Sequence, residues 1–197
     1  MNIPKINIKH NAYLDPIFTG YIKTLPEYKD WVEPTDDFLK AQISMYREVW
    51  NKEGEKILTA ICNAIGLEFK RNQIDVHVVK GNIREHASCI ILKCRYTREE
   101  FLCVLIHELI HCLINDNYKI VNSKHYYEDE NQTTKSHVLI HAILKHIYFD
   151  ILCEPLLFAT NIKRSIESKV IGYKKAWDIV EKEGYMNLIE KFKLNIK

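Results

Sequence analysis

The chain has 197 residues, 47% hydrophobic and 27% charged, which is enough to bury a real core without disulfide or metal staples and unlike a disordered or fibrous composition. Its 28 basic residues nearly balance 26 acidic ones, leaving a net charge of +2, so charge gives no ground for a nucleic-acid or lipid partner. The opening MNIPKINIKHNAYLDP lacks a basic start followed by an apolar run, and no stretch reaches the length of a membrane span, so the expectation is a cytoplasmic protein without signal peptide or membrane segment.

Residues 1–35 carry Pro16, Pro26 and Pro34 among Tyr13, Phe18, Tyr21, Tyr28 and Trp31, a mixture that reads as an irregular N-terminal arm or short helices packed on the surface. From Asp36 the pattern becomes helical. Phe38, Leu39, Ile43, Tyr46, Trp50, Ile57, Ala60, Ile61 and Ile65 recur at three- and four-residue spacing, with Asp36 or Asp37 as the start signal, Gly66 as the stop and Gly54 as a point where the run could divide. Two short Ile- and Val-rich strands follow, Ile74 to Val79 and Ser88 to Tyr96, joined by a polar loop around Gly81 to His86; their closeness predicts an antiparallel pair.

Thr97 with Glu100 three residues later is a capping box, which starts a helix there and carries it to about Asn115. An irregular polar stretch separates it from a second helical run, SHVLIHAILKHIYFDILCE, near whose end stands Pro155. The tail from Asn161 contains charged amphipathic turns on either side of Gly184 that should dock on the same domain. The expected organisation is therefore an arm (1–35), one α+β domain (36–155) and a helical extension (156–197). The six cysteines, scattered and without CxxC spacing, read as reduced thiols.

The helix after Thr97 is apolar on every side, with Phe101, Leu102, Val104, Leu105, Ile106, Leu109, Ile110, Leu113 and Ile114, yet it carries His107, Glu108 and His111. Leaving such groups unpaired in a core costs roughly 1 to 3 kcal/mol each, and more for a charge. Histidines four apart on a helix point to one place, and a glutamate beside the first can reach a water there. The spacing H-E-x-x-H thus predicts two metal ligands, His107 and His111, with Glu108 as general base. A catalytic zinc takes a third protein ligand. On the next helix His137 and His141 fall in the apolar stripe with Leu144, Tyr148 and Ile151, whereas His146 falls on the opposite side beside Asp150. His137 leads as third ligand, His141 is the alternative, and Glu130 or Glu128 follows.

HELIH behind a capped helix and two strands resembles the zincin superfamily of zinc metallopeptidases, in particular its small, minimal members and the SprT-like proteases. The resemblance covers residues 36–155. It implies a minimal zincin-like fold with helices on a small, partly antiparallel sheet, zinc on His107 and His111, Glu108 as catalytic base, and an endopeptidase acting on protein or peptide substrates. It also makes SCIILKCRY the candidate edge that receives substrate as an added strand, and Tyr126 or Tyr127 a candidate phenol for the oxyanion. The chain departs from the metzincins, since CLINDN follows His111, and it has neither the N-E-x-x-S-D helix of thermolysin-like enzymes nor a cysteine-rich zinc module. Those departures motivate the alternative of a zinc-stabilised, catalytically inactive binding module.

Overall fold

A computed structural model describes residues 1–81, 89–121, 127–168 and 170–195. The residues Asn82 to Ser88 of the expected loop and strand start, together with His125 and Tyr126, lie outside them. Three strands, β1 (Lys5–His10), β2 (Gln73–Val79) and β3 (Ile90–Lys93), form one sheet in the order β1-β2-β3. The described residues also form seven α-helices: α1 (Leu14–Lys23), α2 (Asp36–Ile65), α3 (Arg98–Asp116), α4 (Gln132–His146), α5 (Pro155–Glu167), α6 (Ile171–Glu183) and α7 (Tyr185–Leu194).

Both strand pairs are parallel, with Ile8 opposite Val76 and Val76 opposite Ile90. This corrects the antiparallel expectation. An alternating strand buries the same face whichever way its neighbour runs, so direction is set by the connection. A parallel neighbour cannot be joined through a tight hairpin, and β3 enters the sheet from the same end as β2. A second correction concerns the N-terminus, where KINIKH is an outer strand with only Ile8 fully buried. One buried side chain in six is too weak an alternation to mark a strand; the pairing with β2 supplies what the pattern lacks.

Helix α2 is one continuous element of 30 residues. Its N-cap is Thr35, whose hydroxyl accepts the Phe38 N–H at 3.2 Å, while Asp36 and Asp37 occupy the first turn, where the helix dipole favours carboxylates. Gly66 ends it in the left-handed conformation, at φ 69°. Gly54 does not break the helix because it makes room: a Cβ there would lie 2.4 Å from the indole of Trp50, one turn earlier. Tyr46, fully buried, stacks on Phe101 at 4.3 Å, donates its hydroxyl to the Lys93 carbonyl at 3.1 Å and accepts the Tyr96 N–H at 2.9 Å, which joins α2 to the chain leaving β3.

Both halves of the capping box start α3: the Thr97 hydroxyl accepts the Glu100 N–H and the Glu100 carboxylate accepts the Thr97 N–H. Helix α4 runs into a π-helical turn, Ile147–Ile151, and Pro155 opens α5 at a position that needs no N–H donor. Leu157, Ala176, Trp177, Val180 and Ile189 of the C-terminal helices enter the same core as α3 and α4. All six cysteines are free; Cys89 and Cys153 are exposed and the other four buried. No described helix is long and apolar enough to cross a membrane.

Candidate metal centre

The site lies where α3 crosses α4. Local sequence puts His107 and His111 one turn apart on α3, and their Nε2 atoms approach to 3.1 Å. Nitrogens held by a tetrahedral zinc at about 2.0 to 2.1 Å lie about 3.3 Å from one another, so the spacing is close to that of a ligand pair. Helix α4 brings His137 against them, with ring centroids 5.2 Å from His107 and 5.1 Å from His111. One nitrogen from each of the three rings lies within 4.8 Å of the others, the one such group among the described residues.

The third ring is oriented by a bond of its own. His137 Nδ1 lies 2.8 Å from the Thr133 carbonyl, which can only accept, so Nδ1 carries the proton and Nε2 the lone pair. That Nε2 is buried and has no hydrogen-bond partner. A backbone carbonyl on the far nitrogen is the usual way a ligating histidine is held in place.

Burial pushes the pKa of all four nearby histidines down. It takes His111 to about 4, with the His137 ring a smaller cause, and lowers His137 against the opposing bond to Thr133. His107 and His141 go well below the ordinary value, first through burial and then through the neighbouring rings. The rings are therefore neutral near pH 7, the state in which imidazole binds a metal. Three neutral imidazoles are a donor set that suits zinc, and also copper, iron or nickel.

His141 is 1% exposed and sits further out, with its centroid 6.2 Å from His107 and 5.7 Å from His137; its ring stacks on Trp177 at 4.2 Å. The geometry thus groups His137, not His141, with the α3 pair. The acidic candidates are elsewhere: Glu130 pairs with Lys175 at 2.8 Å and Glu128 is exposed. His146 binds Asp150 at 2.7 Å, matching its expected position away from the inward stripe. The Tyr127 ring lies under the Lys191 ammonium and lines an apolar pocket with Leu188 and Phe192, a packing environment.

Glu108 is buried and lines, with His107 and His141, a cavity of about 110 Å³. Its other walls are Cys103 and Val104 of α3, Asn161, Arg164, Ser165 and Ser168 at and after α5, and Tyr173 of α6. Tyr173 is the site residue that the sequence did not disclose: its ring centroid is 4.6 Å from that of His137. Its spacing of four from Trp177 marks one face of a docking helix, but nothing in the spacing says which neighbour that face meets. Among the described residues β3 is the last strand in the order.

Comparison of the chain with protein-family models, with curated proteins and with solved structures found no match.

Proposed function

We propose that this protein is a zinc-dependent peptidase in which His107, His111 and His137 hold the metal and Glu108 is the general base. The observation that carries the reading is the unpartnered, buried Nε2 of His137, with its lone pair fixed by the Thr133 carbonyl and grouped with the two histidines of H-E-x-x-H. Zinc bound there supplies Lewis acidity toward a water and a peptide carbonyl.

The chain's own groups do the rest. The Thr133 carbonyl keeps the His137 ring from turning. Glu108 borders the cavity beside His107, where its carboxylate can take a proton from water and return it to the departing amine nitrogen. The apolar core around α3 and α4 keeps the site largely out of water, which strengthens each of these electrostatic interactions.

The deciding experiment is Glu108→Gln in the zinc-loaded protein, assayed against peptides with and without a chelator. The expected result is unchanged zinc content, an unchanged fold and a loss of turnover of about 10²- to 10⁴-fold, the usual worth of a general base. Cleavage by the variant at the wild-type rate would remove Glu108 from its role. Zinc bound by the wild type with no hydrolysis of any peptide would favour the inactive binding module instead.

A further inference from the structure

Imidazoles held by one tetrahedral zinc at about 2.0 to 2.1 Å have ring centres about 5 Å apart. The three rings of the proposed centre match that spacing, with 4.9 Å from His107 to His111, 5.2 Å from His107 to His137 and 5.1 Å from His111 to His137. A fourth imidazole stands just outside it. The His141 centroid is 6.2 Å from that of His107 and 5.7 Å from that of His137.

His141 has the makings of a ligand. It follows His137 by one turn of α4 and so faces the same side of the helix. Its Nδ1 is buried with no hydrogen-bond partner, and no carbonyl fixes its proton as Thr133 fixes that of His137. A nitrogen from this ring on the metal would complete four protein ligands, which is what separates a closed structural zinc from one that keeps a place for water.

Trp177 of α6 holds the ring back. The indole lies flat on the His141 imidazole, with centroids 4.2 Å apart and planes 14° from parallel. The indole is itself fixed: it is 3% exposed, its Nε1 donates to Ser165 Oγ at 3.2 Å, and Phe158 meets it edge-on at 5.3 Å. To move in beside the other three rings, His141 must give up this stack.

On the zinc reading above, we infer that Trp177 is a positioning residue: by stacking on His141 it keeps a fourth imidazole off the metal and one coordination place open. His107 and His111 are each partly exposed, which gives a small anion a route to that place.

The test replaces zinc with cobalt(II), whose visible absorption distinguishes four nitrogen ligands from three with an exchangeable fourth, and titrates azide into the loaded protein. Wild type and His141→Gln should share one cobalt spectrum and bind azide alike. Trp177→Leu should show a changed spectrum, bind azide about tenfold or more weakly and hold the metal about tenfold or more tightly, as one added ligand implies. Combining Trp177→Leu with His141→Gln should restore the wild-type spectrum and azide affinity, a rescue that a merely structural indole does not predict. If Trp177→Leu fails to fold, Ser165→Ala, which removes the bond on the indole, should weaken azide in the same direction. A wild-type spectrum and wild-type azide affinity in the variant that folds overturn the inference. So does a spectrum that changes in His141→Gln alone, since the fourth ring would then already be a ligand. Failure of the zinc reading is seen apart from this, as wild-type protein that takes up neither zinc nor cobalt.

Discussion

His137 donates from Nδ1 to the carbonyl of Thr133, one turn earlier on the same helix, at 2.8 Å. That bond leaves a buried, unpartnered lone pair on Nε2, a state that costs free energy and that a bound cation would relieve.

The first prediction is an asymmetry between the two inward histidines of α4. His137→Gln should lower zinc affinity by 100-fold or more, whereas His141→Gln should change it by less than tenfold, both read by metal content and by competition with a chromogenic chelator. Equal losses in the two variants would show that the fourth ring is a ligand as well.

Metal removal should destabilise the protein. A ligand that binds only the folded state adds stability as RT ln(1 + [L]/Kd), about 4 kcal/mol at a thousandfold excess over Kd. Thermal melts with and without a chelator should therefore differ clearly, and the difference should vanish in His107→Gln. An identical melting temperature in both conditions counts against a metal in the folded protein.

The metal-free protein should lose stability as pH falls. Each of the four site histidines has a folded pKa below the unfolded value of about 6.5, so the unfolded chain binds more protons between those two values. Their contribution is complete above pH 7 and is lost as pH drops through 6.5 toward about 4, the folded value of His111. The slope is about 1.4 kcal/mol per pH unit for each ring that stays neutral. A flat melting temperature from pH 7.5 to 5 would contradict this burial.

Gly54→Ala should destabilise α2 although alanine is the better helix former. The propensity gain is about 1 kcal/mol, but a methyl 2.4 Å from the indole of Trp50, itself 7% exposed, must displace a buried ring, at about 1 to 3 kcal/mol. The net expectation is a loss of about 1 kcal/mol in urea unfolding, recovered when Trp50→Leu is added. A single variant more stable than wild type would mean that the indole can move aside freely.

Much of the helical content was legible because its signals are local. Thr97 and Glu100 bond to each other's backbone, Gly66 takes a conformation few other residues tolerate, and His107 and His111 share a face by helical geometry alone. The role of KINIKH was not legible, since it depends on a partner more than 60 residues away, Ile8 meeting Val76, and the direction of β3 against β2 was not legible because an alternating pattern is the same for either direction. The cap of α2 was misplaced by one or two residues, with Thr35 taking the role that Asp36 and Asp37 could equally fill.

Sequence alone determined the pair of imidazoles, the carboxylate beside them and the apolar helix that carries all three, because residues three and four apart have fixed relative positions once a helix forms. Only the tertiary structure shows that His137 lies nearer the α3 pair than His141 does, that Tyr173 stands against His137 and that Trp177 stacks on His141. Those outcomes turn on how one helix crosses another, a matter of about an ångström at the ring nitrogens, which interdigitating side chains set and no spacing along the chain encodes.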